Sequence, residues 1–315
     1  MLDTALTRLL GISYPILQGG MAWAATWELV VAVSEAGGLG ILGAGNAPPK
    51  WVRQQIKRVK QGTAKSYGVN VPLLSPYVDE IMALCADERV PVLTTGAGNP
   101  SPYIARLKEA GIVVIPVVAS AALAGRLERA GADAVIAEGQ ESGGHIGTVS
   151  TIALVPRVVD TVDIPVIAAG GIGDGRGLVA ALALGAAGVQ MGTRFICAEE
   201  CTAHLNYKKA ILRANERSTM VTGLSIGHPV RCIRNPLARA FSKLEKADLS
   251  EQEIIEFGLG RLQSAVRDGD VVHGSVIAGQ VAGLIHEIMP AGEILRQTIV
   301  EAEALLTQMQ SLIVS

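Results

Sequence analysis

The chain has 315 residues, of which 36 are glycine, 49% are apolar and only 3% are aromatic. Its 27 basic residues nearly balance 29 acidic ones, which gives no electrostatic reason to expect nucleic acid or an anionic membrane surface as a partner. A chain of this length can bury a large core, and its excess of glycine without a proline-rich period indicates tight turns rather than collagen or disorder.

Eight short apolar runs recur with helical segments between them, at residues 14–21, 38–43, 67–71, 90–96, 113–118, 134–139, 165–171 and 188–195. They lack the alternation of a half-exposed sheet, so we expect strands buried on both faces, as in parallel sheets covered by helices. Four runs follow glycines that can end a helix in the left-handed conformation, namely Gly37, Gly111, Gly131 and Gly185. The run starts lie roughly 21 to 31 residues apart, and this spacing predicts an α/β fold, a (β/α)8 TIM barrel rather than an open Rossmann sheet.

Residues 198–271 break this rhythm and carry 21 of the 56 charged residues. Helices are expected there at residues 207–213 and 251–265. We therefore predict a barrel over residues 1–197, a smaller and mainly helical insertion at 198–271, and C-terminal helices at 272–315 that return to the barrel, the first opening at 274–280. An insertion after the eighth strand either covers the site as a substrate lid or is a solvent-exposed addition without a role at the site.

Glycines stand at the ends of the seventh and eighth predicted strands. Ala169, Gly170 and Gly171 follow the seventh, and Gly192 and Thr193 follow the eighth. Barrel enzymes often bind phosphate at these two positions. Bare amides at the following helix starts can bind a phosphate without a lysine, and Thr193 adds a hydroxyl donor. Glycine is common at strand ends in any barrel, but its placement here favours a phosphate-bearing ligand.

The loop after the sixth strand holds His145 between glycines on the active face of the barrel. Imidazole is the side chain most easily used to deliver a proton near neutral pH, so a functional role is favoured over a structural one. Glu138 either accepts hydrogen bonds from a ligand or braces the loop. Asn70, at the end of the third strand, offers a neutral ligand contact.

The first strand ends in a segment where glycines would let a flat ring lie against the main chain. It includes Gly20, Met21 and Ala22. The side chains of Met21 and Trp23 fit ordinary packing equally well.

Four cysteines are too few to stabilise a chain of this size by disulfide bonds, so reduced thiols in a cytoplasmic protein are expected. The uncharged stretch at residues 9–27 contains proline and paired glycines, which suit a spanning helix poorly. Zinc ligands could be drawn from Cys197, Cys201, His204, His228 and Cys232, but no CxxC pair is present, and we predict no metal site.

Taken together and in order, these segments resemble the FMN-dependent enoyl-acyl-carrier-protein reductase II family, within the wider nitronate monooxygenase-like flavoproteins. The resemblance runs from about residue 14 to residue 285. It is carried by residues 19–23, 45–48, 68–76, 94–101, 138–147, 168–171, 192–195 and 275–280.

The resemblance implies a barrel with a smaller helical substrate domain and FMN as the cofactor. Gly170, Gly171, Gly192 and Thr193 would then hold the FMN phosphate beside Ala169. The flavin ring would be lined by Gly20, Met21 and Ala22, with Asn70 and Glu138 as polar contacts. His145 matches the catalytic histidine of the family.

The implied reaction reduces the trans-2 double bond of a fatty acyl thioester, on acyl carrier protein or CoA, with NADH or NADPH in fatty acid biosynthesis. Basic residues of the insertion either dock the acidic carrier protein or form a solvated face: Lys208, Lys209, Arg231, Arg234 and Arg239. A homodimer is expected. His273 departs from the small or acidic residue expected there, which leaves the nicotinamide preference and a monovalent-cation site open.

Three alternatives remain at this stage. A nitronate monooxygenase would share the barrel and flavin but use oxygen; the 138–147 run and the matched insertion favour the reductase. A flavin-free barrel enzyme would bind a sugar phosphate, although no strand end carries a lysine suited to aldolase chemistry. A non-catalytic flavin-binding or phosphate-binding barrel is the third.

Overall fold

The computed structural model describes residues 2–247 and 249–312. Eight parallel strands close a barrel in the order β1-β2-β3-β4-β5-β6-β8-β9, which confirms the predicted (β/α)8 architecture. The barrel strands are β1 (Ile16–Gln18), β2 (Leu39–Gly43), β3 (Tyr67–Pro72), β4 (Val92–Gly96), β5 (Val113–Val118), β6 (Val135–Glu138), β8 (Val166–Ala169) and β9 (Gly188–Met191). A separate sheet contains β7 (Gly144–His145), β10 (Thr219–Thr222) and β11 (Val230–Ile233).

Helices follow the barrel strands. They are α1 (Ala5–Leu10), α2 (Trp27–Glu35), α3 (Pro49–Gly62), α4 (Val78–Asp87), α5 (Ser101–Glu109), α6 (Ala121–Arg129), α7 (Thr151–Val159), α8 (Gly175–Ala183), α9 (Thr193–Ile196), α10 (Leu205–Leu212), α11 (Pro236–Leu244), α12 (Glu251–Gly258), α13 (Arg261–Gln263) and α14 (Ala291–Gln310). Four of the described helices, α10 to α13, lie in the insertion. The four glycines expected to end helices have φ between +76° and +99°, so that prediction is confirmed.

Branched aliphatic side chains fill the barrel and α1 lies against its amino-terminal end. The buried interior includes Leu17, Leu39, Ile41, Ile115, Ile136 and Ile167, packed with Leu6 and Leu10 of α1. A Cβ on Gly188, at the start of β9, would lie 2.5 Å from the Leu6 side chain. This packing fills the barrel interior at its amino-terminal end, and the carboxyl ends of the strands are where a barrel builds its site.

Residues 198–271 contain a hairpin as well as helices. Strand β10 pairs with β11, and β11 pairs in turn with β7. The helix predicted over residues 251–265 instead ends with α12, because Leu259 is extended and Gly260 has φ +74°. Beyond it, the described chain forms α13 and a π-helical turn at Ser264–Asp268.

The helix predicted to open at residues 274–280 is wrong. Ile277 forms an antiparallel bridge with Cys232, and the carbonyl of Val276 accepts the N–H of Ile233. Since the backbone here is committed to β11, helical structure resumes only as a short 3-10 turn at Gln280–Leu284. The long helix α14 then packs against α8 and α2. No helix within residues 2–247 and 249–312 is long and apolar enough to cross a membrane.

Candidate active site

A cavity of about 870 Å³ opens at the carboxyl ends of the barrel strands, walled on its outer side by the insertion. The fold brings all of the site residues predicted from the sequence to its wall. They are Gly20, Met21, Ala22, Asn70, Glu138, His145, Ala169, Gly170, Gly171, Gly192 and Thr193. Barrel topology explains this convergence, because parallel strands deliver their following loops to one face.

Gly20, two residues beyond the end of β1, lies close against Asn70 of β3. A Cβ on Gly20 would stand 2.2 Å from the Cβ of Asn70, so no larger residue fits there. The Thr94 hydroxyl donates to the side-chain oxygen of Asn70 at 2.9 Å. This bond fixes the Asn70 amide and leaves its NH₂ group as a hydrogen-bond donor at the cavity wall.

Two residues of the cavity wall that are not glycine adopt the left-handed backbone conformation. Trp23 has φ +65° and Ala97 has φ +55°. The Trp23 ring packs 5.6 Å from the Trp51 ring, and the Arg267 guanidinium lies 4.4 Å from its centroid. Backbone strain of this kind concentrates at functional sites, and nothing in the sequence pattern indicated it.

The loop after β8 offers unpaired backbone amides. Gly170 and Gly171 have φ of +93° and +74°. Within residues 2–247 and 249–312, the N–H groups of Gly170, Gly171 and Ile172 donate to no backbone carbonyl. Such a turn of exposed amides suits an anion.

Amides at the start of the helix that follows this loop already have acceptors, so the expectation of bare amides at that helix start is wrong. The Asp174 carboxylate caps α8 by accepting the N–H groups of Arg176 and Gly177 at 3.0 and 3.2 Å. A carboxylate already satisfies these amides and would repel a second anion. After β9, the Thr193 hydroxyl accepts the Gly279 N–H at 2.9 Å, which joins the strand end to the chain that returns from the insertion.

Glu138 is the last residue of β6, and Glu141 lies in the loop that follows. One of these two glutamates braces the loop and the other faces the ligand cavity. Glu141 braces the loop, since its carboxylate accepts the Thr151 N–H at 3.0 Å and the Thr151 hydroxyl at 2.8 Å. Glu138 lines the cavity. Burial raises the pKa of Glu138 to about 7, against an opposing effect of the Ser142 hydroxyl. Glu138 can therefore donate or accept a hydrogen bond near neutral pH.

Glu138 should make the ligand-free protein less stable as the pH rises. Its folded pKa lies above the unfolded value of 4.5, so the stabilisation is complete below pH 4.5 and is lost as the pH rises towards 7. We expect Glu138→Gln to gain about 2 kcal/mol over the parent chain between pH 5 and pH 8 in urea unfolding. Exposed Glu80→Gln is the matched control. An unchanged pH dependence for Glu138→Gln would contradict this assignment.

His145 is held by the insertion as well as by the barrel. Gly144–His145 forms β7, where His145 stands opposite Val230 of β11. The Ile146 N–H donates to the Pro229 carbonyl at 3.0 Å. Desolvation, and then the neighbouring His228, lower the pKa of the His145 imidazole below 6.5. Its protonated form is therefore a stronger acid than an ordinary imidazolium.

The insertion contributes an apolar wall that the sequence did not predict residue by residue. Its side chains on the cavity include Leu237, Phe241, Ile255, Leu259 and Leu262. Helices α11 and α12 are joined by the Phe241 and Phe257 rings, 5.9 Å apart. A cavity with an apolar outer wall and polar groups at the strand ends suits a ligand that has one apolar part and one polar part.

Two of the five basic residues considered for a docking face or a solvated face are internal instead. Lys208 is buried and its ammonium donates to the Ala198 carbonyl at 2.6 Å. Arg231 is buried and donates to the Gln140 carbonyl at 2.9 Å. Both satisfy backbone carbonyls, as buried cations must.

Of the remaining charged and metal-ligand candidates, His228 and Cys232 line the cavity, whereas Cys197, Cys201 and His204 do not. Lys209, Arg234 and Arg239 are exposed. His273 is exposed beside Asp270 and does not line the cavity. All four cysteines are buried free thiols, and the described part of the chain holds no cluster of three or more His, Cys, Asp or Glu residues that could bind a metal.

The fold and the site together define a TIM-barrel enzyme with a glycine-lined ligand cavity at the carboxyl ends of its strands. The chain matches the model of the nitronate monooxygenase family over residues 3–84 and 75–301, and it belongs to that family. The sequence-based resemblance, and the prediction of an FMN-dependent oxidoreductase, are thereby confirmed.

Three relatives show how varied this family is. The structure of FabK from Thermotoga maritima superposes with a TM-score of 0.97 at 51% identity, covering 99% of this chain and 100% of that one. Nitroalkane oxidase from Streptomyces ansochromogenes gives a TM-score of 0.85 at 31% identity, covering 97% and 100%. A Mycobacterium tuberculosis 5-hydroxy-7a-methyl-1-oxo-octahydro-1H-indene-4-carboxyl-CoA dehydrogenase is 36% identical over 96% of both chains.

The residues present fit FMN. The free amides of residues 170–172 suit its phosphate, and the tight contact between Gly20 and Asn70 leaves bare backbone along the cavity wall. The amide of Asn70 and the carboxyl of Glu138 add donors and acceptors for a polar ring.

Proposed function

We propose that the protein is an NADH- or NADPH-dependent enoyl-thioester reductase that acts on trans-2-enoyl chains carried by acyl carrier protein or CoA. The observation that carries this proposal is that His145 and the apolar wall of the insertion line one and the same cavity. An acyl chain would use that wall, whereas a small nitronate would not need it.

The comparisons support the same substrate class. FabK is an enoyl-acyl-carrier-protein reductase II, and this chain matches it over nearly its whole length. The Mycobacterium tuberculosis relative is named for a substrate that is a CoA thioester. A thioester with a long or bulky acyl part is therefore the common feature.

Residues at the strand ends would hold the cofactor. The amides at Gly170 and Gly171, with Gly192 and Thr193 at the end of the neighbouring strand, would receive the FMN phosphate. Gly20, Met21 and Ala22 would lie along the ring, and Asn70 and Glu138 would bond its polar edge. When bound, FMN supplies hydride transfer between a nicotinamide and an activated double bond.

His145 supplies the proton that the reaction needs. Reduction of a conjugated double bond adds hydride at the β-carbon and a proton at the α-carbon. The imidazolium of His145 donates that proton at the cavity wall and is then reprotonated from solvent. Because its pKa is lowered, reduction is expected to proceed faster on the acid side of neutrality.

Three exposed basic residues of the insertion remain for an acidic carrier protein, namely Lys209, Arg234 and Arg239. Charges on such a rim speed association more than they add affinity.

Nitronate oxidation is the second candidate, favoured by the family match and by the Streptomyces relative. Turnover by the FMN-loaded protein separates the two. We expect NADH or NADPH oxidation that depends on crotonyl-CoA or dodecenoyl-CoA, with little oxygen consumption on an alkyl nitronate.

A variant of the apolar wall sharpens this test. Phe241→Ala should lower kcat/KM for dodecenoyl-CoA by roughly tenfold and affect crotonyl-CoA little, because only the long chain reaches that wall. Exposed Leu312→Ala, outside the cavity, is the control. Nitronate turnover without thioester-dependent nicotinamide oxidation would overturn the proposal.

A further inference from the structure

A second histidine reaches the cavity from the insertion. His228 lies at the end of the hairpin that joins β10 to β11 and lines the same cavity as His145. The hairpin is tightly closed, since the His228 N–H donates to the Gly223 carbonyl at 3.0 Å and Gly223 has φ +80°. A Cβ on Gly223 would lie 2.3 Å from the His228 carbonyl oxygen.

The two imidazoles meet edge to face. Their ring centroids are 6.5 Å apart and their planes make an angle of 88°. Antiparallel pairing of β7 with β11 sets this approach, because His145 stands opposite Val230, two residues beyond His228. The backbone therefore holds the rings together across 83 residues of sequence.

We propose that His228 is a positioning residue for His145: its ring contacts the His145 imidazole edge to face and fixes the orientation of that ring. The inference rests on the proposed function for its role in turnover, but the contact between the rings does not. Two like charges at this separation repel. The proton passes from solvent to His145 and then to the α-carbon, while His228 has no net gain or loss.

Most of the other charged groups around the pair are bonded or stacked elsewhere, while the Glu138 carboxyl lines the same cavity. Strand β6 and the loop after it bring two glutamates, of which Glu141 is bonded to Thr151. Strand β11 brings Arg231, bonded to the Gln140 carbonyl, and the buried thiol of Cys232. Arg261 lies over the Phe257 ring, and residues 274–279 carry no titratable side chain. Of these groups, Glu138, Glu141, Arg231, Cys232, Arg261 and His228, only His228 contributes a charge effect to the lowered pKa of His145.

Titration of His145 by NMR tests this contact without any turnover. The FMN-loaded full-length chain, with labelled histidine rings, has five histidines to assign. We expect His228→Gln to move the His145 midpoint upward and His228→Lys, which keeps a charge at every pH, to move it downward. Exposed His286→Gln, outside the cavity, is the matched control and should leave the midpoint in place.

Kinetics then connect the contact to the reaction. In His228→Gln, the pH profile of kcat/KM for crotonyl-CoA should move in the same direction as the NMR midpoint, with the KM unchanged. An unmoved His145 midpoint, or shifts of one sign for both substitutions, would overturn the inference even in an active reductase. Opposite shifts in a protein that does not reduce enoyl thioesters would uphold the contact and reject only the proposed function.

Discussion

Replacement of His145 by alanine is expected to abolish most enoyl reduction while FMN stays bound. A positioned general acid typically contributes about 10²- to 10⁴-fold to the rate, and we expect the loss of kcat with crotonyl-CoA to fall in that range. The side chain lines the cavity from β7, away from the glycine loop after β8. FMN content, read from the visible absorbance per protein, should therefore be unchanged.

The matched control is His286→Ala, an exposed histidine outside the cavity. It should keep both turnover and FMN. Full turnover by His145→Ala would refute its role as proton donor, and loss of FMN from that variant would place the side chain at the cofactor instead.

Gly170→Ala is the second substitution with a large expected effect. Gly170 has φ +93°, and a Cβ there would lie 2.9 Å from the Gly139 carbonyl oxygen and 3.2 Å from the Ser142 nitrogen. The loop would have to shift, and with it the unpaired amides of residues 170–172. We expect FMN affinity, measured by fluorescence titration of the apoprotein, to fall by at least roughly tenfold, as for other losses of an anion contact.

Gly111→Ala controls for backbone strain alone. Gly111 has φ +76° and open space around its Cβ position, and it lies between α5 and β5 at the opposite end of the barrel. It should cost about 1 kcal/mol of stability and leave FMN affinity intact. An equal loss of affinity in both variants would mean that global destabilisation, not the loop, weakens binding.

The barrel could be predicted because its signals are local. Strands buried on both faces give unbroken apolar runs, and a glycine such as Gly131 ends a helix through its own left-handed φ. Convergence of Asn70, Glu138 and His145 on one cavity then followed from topology, since every barrel strand points the same way.

The three-stranded sheet of β7, β10 and β11 could not be predicted, because its strands are short and β7 is distant in sequence from its partner β11. Strands β7, β10 and β11 have two to four residues each, and His145 meets Val230 across a long stretch of chain. Short strands give too little periodicity to detect. His228 was therefore considered only as a distant metal ligand.

Side-chain hydrogen bonds explain the remaining differences between the sequence-based predictions and the structure. The sequence places Lys208 and Arg231 among the charges of the insertion surface. Each donates a hydrogen bond to a backbone carbonyl instead, and no sequence pattern predicts such a bond. The capping role of Asp174 was detectable, because an aspartate directly before a helix is a preferred cap. Its presence leaves the amides of the preceding loop, rather than those of the helix start, for the phosphate that we propose there.

Transfer of reducing equivalents from a nicotinamide to an enoyl thioester is tested most directly by anaerobic mixing of the FMN-loaded protein. We predict that NADH or NADPH bleaches the yellow colour in the absence of oxygen, and that crotonyl-CoA then restores it. Failure of both nicotinamides to bleach the colour, or its return with oxygen but never with the thioester, would contradict the assignment as an enoyl-thioester reductase.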